Sequence, residues 1–81
     1  SGMQGAGQEW AGRLLFCAKE ATYKCWFPMT RRWLGFEDAE IELRADGTFV
    51  SHLLARPTPV PAFEGRWALR GGYVIASTFC Q

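Results

Sequence analysis

The sequence predicts a mainly β or α+β domain, a small antiparallel meander or partial barrel with one N-terminal helix. Three observations lead there. Two stretches alternate apolar and polar residues around glycine-containing turns, an earlier stretch repeats apolar residues at intervals of three and four, and the 81-residue chain is 48% hydrophobic and 15% aromatic. That composition excludes a disordered chain. At this length folding removes only about 60% of the surface that the extended chain exposes. A multilayered enzyme with its own cofactor cleft does not suit so short a chain. The expectation is a non-enzymatic module with no cofactor and no metal.

Residues 1–8 (SGMQGAGQ) hold three glycines and no apolar period. They read as a lead-in, with Ser1-Gly2-Met3 resembling the remnant of a removed tag, and residues 9–81 read as a single small β-rich domain. Between Glu9 and Trp26 two readings compete. A helix places Trp10, Leu14, Cys17, Ala21 and Cys25 on one stripe, whereas a hairpin pairs 13–17 with 22–27 through Ala18-Lys19-Glu20-Ala21. That tetrapeptide contains good helix formers and neither Gly nor Asn, which favours helix through about Ala21. Thr22–Phe27, rich in aromatic and β-branched residues, then reads as a strand that Pro28 ends.

Residues 28–39 read as a connection carrying Arg31-Arg32-Trp33-Leu34-Gly35-Phe36. After it Ile41 and Leu43 alternate with Glu40, Glu42 and Arg44, Asp46-Gly47 marks a turn, and Phe49, Ser51 and Leu53 resume the alternation. A three-residue loop with Gly47 at positive φ sets Leu43 opposite Phe49, and a two-residue loop sets Leu43 opposite Val50. The first matches large apolar groups better. Arg56-Pro57-Thr58-Pro59-Val60-Pro61 cannot supply the donors of a central strand and reads as a stiff extended loop or edge. In the last third Phe63, Gly65, Trp67 and Leu69 alternate with charged and small residues, and Gly71-Gly72 reverses the chain. A loop of Arg70-Gly71-Gly72 aligns Leu69 with Tyr73 and Trp67 with Ile75.

Asp46-Gly47-Thr48-Phe49, Gly65-Arg66-Trp67 and Gly71-Gly72, spread over residues 41–76, resemble the repeated hairpin pattern of small lipocalin-like β-barrel domains. The resemblance implies a barrel or half-barrel with Trp67 and Phe49 packed inward, and a small apolar ligand between them. A full barrel of that family has more strands than this sequence offers. It therefore implies a reduced barrel, a dimer that completes the sheet, or a fragment whose missing strands belong to a partner.

The net charge is +1, but residues 1–33 carry five basic and two acidic side chains and residues 34–64 carry two basic and six acidic. An acidic middle does not suit a continuous phosphate-binding surface, so nucleic acid is not favoured as a partner. The longest apolar runs are too short for a membrane span. Cys17, Cys25 and Cys80 cannot all pair within one chain. Reduced thiols in an intracellular protein are expected, against a secreted alternative with a Cys17–Cys25 disulfide. The sole histidine, His52, reads as a sheet-face residue rather than a base or metal ligand.

The function these features suggest is protein–protein recognition or assembly, with a protein partner or self-association. Trp26, Arg31, Arg32, Trp33 and Phe36, with Arg56, Pro57 and Pro59 of the proline-rich loop, would form the contact surface. An alternative is a carrier whose cavity is lined by Phe49, Leu53, Trp67, Leu69, Tyr73 and Ile75. A single-stranded nucleic-acid module is the third reading.

Overall fold

The computed structural model describes residues 2–79, with side chains from Ala11 onward. A long helix, α1 (Gly2–Thr30), leads through a short connection and a 3-10 turn (Phe36–Asp38) into four strands: β1 (Ala39–Leu43), β2 (Thr48–Leu53), β3 (Ala62–Arg70) and β4 (Tyr73–Thr78). The strands lie in chain order in one antiparallel sheet. The sheet does not close: β1 pairs only with β2 and β4 only with β3, so a helix and an open meander form the two layers.

The sequence reading ends α1 too early. Thr22–Phe27 continues the helix because Thr22, Cys25 and Trp26 fall on the buried stripe at helical spacing, while Tyr23, Lys24 and Phe27 lie outside it. Leu14, Ala18, Ala21, Thr22, Cys25 and Trp26 are all buried, at helical spacing. Burial at these positions outweighs the strand propensity of the individual residues. Pro28 lies inside the helix, in its last turn, where a missing N–H removes only one backbone bond. Arg31 then takes the left-handed conformation (φ 58°), and its N–H bonds the Phe27 carbonyl at 2.7 Å, closing the helix.

The first hairpin has the register that large-to-large pairing favours. Leu43 faces Phe49, Ile41 faces Ser51, and Gly47 sits at φ 88°. Asp46 Oδ1 accepts bonds from the Thr48 hydroxyl (2.6 Å) and backbone N–H (3.0 Å), which hold its carboxyl below the usual carboxylate range. The second hairpin differs by one residue from the three-residue loop. Arg70 pairs with Tyr73, Leu69 with Val74 and Trp67 with Ala76. Gly71 and Gly72 both take positive φ (53° and 83°), giving a two-residue reversal whose twist matches the strands. The shift moves Tyr73 and Ile75 to the face away from α1.

The core sits between α1 and the sheet, where Trp26, Leu34, Ala39, Leu53 and Phe63 pack with Cys25. Phe49 is fully buried across β3, its ring lying over Gly65. A Cβ at Gly65 would stand 2.3 Å from Phe49 Cζ and 2.5 Å from the Ser77 carbonyl oxygen. The Gly-x-Trp pattern therefore has a packing cause. Polar bridges join the layers: Thr22 Oγ1 lies 2.7 Å from the Ala18 carbonyl oxygen and 2.8 Å from Ser51 Oγ, both side chains being buried, and Thr78 Oγ1 donates to the Ala21 carbonyl at 2.8 Å. Cys17 is a free thiol, so the Cys17–Cys25 disulfide of the alternative reading is absent, but Cys25 is disulfide-bonded, which corrects the expectation that the thiols are all reduced. Cys80 lies outside the described residues.

Candidate functional site

Between Leu14 and Phe27 the helix carries only three charged residues, Lys19, Glu20 and Lys24. The apolar stripe is committed to the sheet, so Glu20 and Lys24 fall outside it and Lys19 on its flank. Lys19 is half-buried and Glu20 and Lys24 are exposed. Neither Glu20 nor Lys24 makes an ion pair among the described residues, in which Glu42 is the only carboxylate bridged to a cation.

A groove of about 300 Å³ runs along one flank of this crest, lined by Phe16, Lys19, Glu20, Tyr23, Trp33 and Phe36, with Leu34, Gly35 and Ala39 beneath. The connection after α1 supplies the far wall. Asp38 Oδ2 accepts the Gly35 N–H at 2.8 Å and the Asp38 N–H bonds the Gly35 carbonyl at 3.0 Å, fixing the turn that carries Phe36. Lys19 Nζ donates to the Phe36 carbonyl and stands 3.7 Å from the centre of the Phe36 ring. Tyr23 meets Trp33 edge-on, with ring centres 5.6 Å apart. Trp33 is nonetheless 77% exposed, and Phe16 and Phe36 are also exposed. Three aromatic side chains left in water around a cation mark a surface built to be covered.

A second cleft, of about 480 Å³, lies on the other flank between α1 and β4, lined by Cys17, Glu20, Ala21, Lys24 and Cys25 and by Val74–Thr78. Glu20 lies on the rim of both clefts. One carboxylate between two lysines can accept a proton or attract a cation, and the lysines can hold an anion. Among the described residues no three His, Cys, Asp or Glu side chains come together as a metal cage.

The residues selected from the sequence divide among several places. Trp33 and Phe36 belong to the aromatic groove. Trp26 is fully buried, its Nε1 donating to the Arg32 carbonyl at 2.9 Å. Arg32 stacks on that indole, with Cζ 5.1 Å from the ring, and donates to the carbonyls of Pro57 and Arg56, the latter at 3.3 Å. It clamps the proline-rich loop onto the end of α1. Arg56 turns back on its own loop, donating to the carbonyls of Leu53 (2.7 Å) and Ala55 (3.0 Å). Arg31 lies over Phe27, while Pro57 and Pro59 are exposed on the loop.

Phe49, Leu53, Trp67, Leu69, Tyr73 and Ile75 do not enclose a common cavity. Phe49 and Leu53 fill the core, Leu69, Tyr73 and Ile75 are exposed, and Trp67 is half-buried, donating from Nε1 toward the carbonyls of Arg44 and Thr48. His52 lies on the outer sheet face, 3.0 Å from Glu42 Oε1. Lys19, Glu20 and Lys24 do not stand out as a site in the sequence, where Lys19-Glu20 indicates helix over turn. Their signal is the confinement of all charge in fourteen residues to one side of an otherwise apolar helix.

The chain belongs to the 4'-phosphopantetheinyl transferase superfamily, whose family model matches residues 3–78. It is 48% identical to a 4'-phosphopantetheinyl transferase of Mycobacterium tuberculosis, over 80% of this chain and 33% of that protein. It is 46% identical to one from Nocardia iowensis (80% and 36%) and 44% identical to one from Streptomyces mobaraensis (80% and 29%). The chain thus spans about a third of the length of these relatives.

Membership of this family corrects several expectations. The lipocalin-like resemblance is overturned, since the shared hairpin pattern arises from a Gly65–Phe49 packing need in an open sheet. The non-enzymatic recognition or assembly module, the apolar-ligand carrier and the single-stranded nucleic-acid module are overturned as well, because the family is one of transferases. Length misled here: 81 residues are too few for a whole multilayered enzyme, but they need not be a whole enzyme. No helix among the described residues is long and apolar enough to cross a membrane.

Proposed function

We propose that this chain forms part of an intracellular transferase that moves a 4'-phosphopantetheinyl group onto a carrier protein, and that the α1 crest contributes to the transfer site. The observation that carries this reading is the groove in which Lys19 and Glu20 border a wall of exposed aromatic rings. The transferred group has a phosphate at one end and a long uncharged arm, so it needs cations at one point and apolar cover along the rest. Lys19 and Lys24 supply positive charge to either side of Glu20, and Phe16, Tyr23, Trp33 and Phe36 supply the cover.

Phosphoryl transfer depends mainly on positioning and charge stabilisation, which is work that a few fixed side chains on a rigid helix can do. Glu20 lines both clefts and can take the proton released as the acceptor oxygen bonds to phosphorus, while the P–O bond to the donor breaks and the donor's remaining phosphate leaves with that electron pair, its charge met by Lys19 or Lys24. The test is transfer to a carrier protein by a chimera in which this chain replaces the matching segment of the Nocardia iowensis transferase. Glu20→Gln should reduce kcat roughly 100-fold and Lys19→Ala roughly 10-fold or more, with the melting temperature unchanged. Unchanged rates in both variants would reject the assignment of the site to this crest.

A further inference from the structure

We infer that the outer edge of β4 is a docking site for a strand, and that its occupant is an extended segment of the same transferase from outside these 81 residues. The inference rests on the family reading above and concerns how the site is completed. Which groups of β4 face outward follows from the ladder. Arg70 and Tyr73 close the hairpin, and the Phe79 N–H bonds the Glu64 carbonyl at 2.8 Å, so bonded pairs recur at alternate residues. The inward bonds belong to Tyr73, Ile75, Ser77 and Phe79. The backbone N–H and C=O of Val74, Ala76 and Thr78 therefore point away from β3, and no other strand pairs there.

The two edges of the sheet are treated differently. β1 carries Glu40 and Glu42, and Glu42 binds Arg44 and His52 beside it, so added strands meet charge on that side. β4 reads Tyr-Val-Ile-Ala-Ser-Thr, six residues without a charge or a proline. An edge left without such guards is a template for pairing. Space is present as well, since the cleft of about 480 Å³ lies along Val74–Thr78, beneath Cys17, Glu20, Ala21 and Lys24 of α1. A strand entering it would pair with β4 on one side and present alternate side chains to α1, small or apolar opposite Ala21 and polar opposite Glu20 and Lys24.

The occupant is argued from length and position. The relatives are matched over only 29–36% of their length, so about two thirds of each lies outside the stretch seen here. A second copy of this chain would offer its own β4, whose inward-facing Val74, Ala76 and Thr78 bring no charge to Glu20 and Lys24. A segment of the larger transferase can bring side chains to that boundary, and the site would be incomplete without it.

Amide hydrogen exchange tests this in the free 81-residue chain and in the Nocardia iowensis chimera described above. In the chimera the amides of Val74, Ala76 and Thr78 should exchange roughly 100-fold more slowly than in the free chain, while that of Ile41 on the β1 edge should be unchanged. Equal, fast exchange at the three β4 positions in a folded chimera would overturn the inference. Slow exchange that appears in the free chain as its concentration rises would assign the edge to a second copy and overturn it too. If the chimera does not fold, the strand matching β4 is read in the intact Nocardia iowensis transferase, where fast alternate amides reject the inference and slow ones support it. Exchange is independent of transfer, so slow β4 amides in an inactive chimera would keep the docking site and reject the function, and fast amides in an active one would do the reverse.

Discussion

Two regions along α1 are built on opposite terms. At the C-terminal end of the helix, Trp26, Arg32 and the 56–57 carbonyls use one another's hydrogen-bonding capacity: the indole donates to Arg32, and Arg32 stacks on the indole and donates across to the loop. Earlier on the helix Glu20 and Lys24 stand exposed without an ion pair among the described residues, Glu20 next to aromatic rings that water can reach. The first arrangement spends its chemistry on holding the chain together. The second leaves its chemistry available, which is what a site for another molecule requires. Aromatic and arginine residues adjacent in sequence therefore serve different ends: Arg32 is structural and Trp33, its neighbour, faces the groove.

Trp26→Ala should break the closed end most severely. It removes a fully buried indole, the bond to the Arg32 carbonyl and the surface on which Arg32 stacks, and should destabilise the chain by about 3–5 kcal/mol in chemical denaturation. A loss no larger than that of Glu20→Gln would erase the contrast between the two regions. Gly65→Ala tests whether the interior is as tightly filled as the Phe49 contact indicates. The added methyl would meet both an aromatic ring and backbone, so a loss of about 1–3 kcal/mol is expected, read as a fall in melting temperature. If Phe49→Leu in the same background restores part of the loss, the clash with the ring is its cause.

The smallest effect concerns the outer sheet face. The His52 hydrogen bond, then Arg44, hold the Glu42 carboxyl below its ordinary value of 4.5. Because the folded value is the lower one, this contribution to stability is complete above about pH 4.5 and fades as pH falls through the folded value. Glu42→Gln should flatten the pH dependence of the melting temperature in that acid range and leave it unchanged near neutrality. The group is exposed and screened by salt, so the effect should shrink as ionic strength rises. An identical acid profile in the variant would show that the pair contributes nothing.

The legible parts of the molecule were those governed by neighbours in sequence. Leu43 and Phe49 are joined by a short loop with one positive-φ glycine, so matching large side chains identifies their register. The second hairpin was misread by one residue because Gly71 and Gly72 admit several turns; the two-residue turn then placed Tyr73 and Ile75 outside. Thr22–Phe27 was misread because strand propensity belongs to single residues, whereas the period of burial appears only when Thr22, Cys25 and Trp26 are seen to face one sheet. Residues carrying the groove were partly visible, as Trp33 and Phe36, but their partners Lys19 and Tyr23 lie on another element.

By itself the sequence determined a small antiparallel meander after an N-terminal helix, and its first turn, because alternation, glycine placement and side-chain size act over a few residues. Only the tertiary structure decided that α1 runs on to Thr30, that the sheet stays open at β4, and that Lys19 and Glu20 meet Trp33 and Phe36 across one groove. These depend on which faces are buried against which. That outcome is set by the free energy of the whole packed layer and is not carried by any one segment.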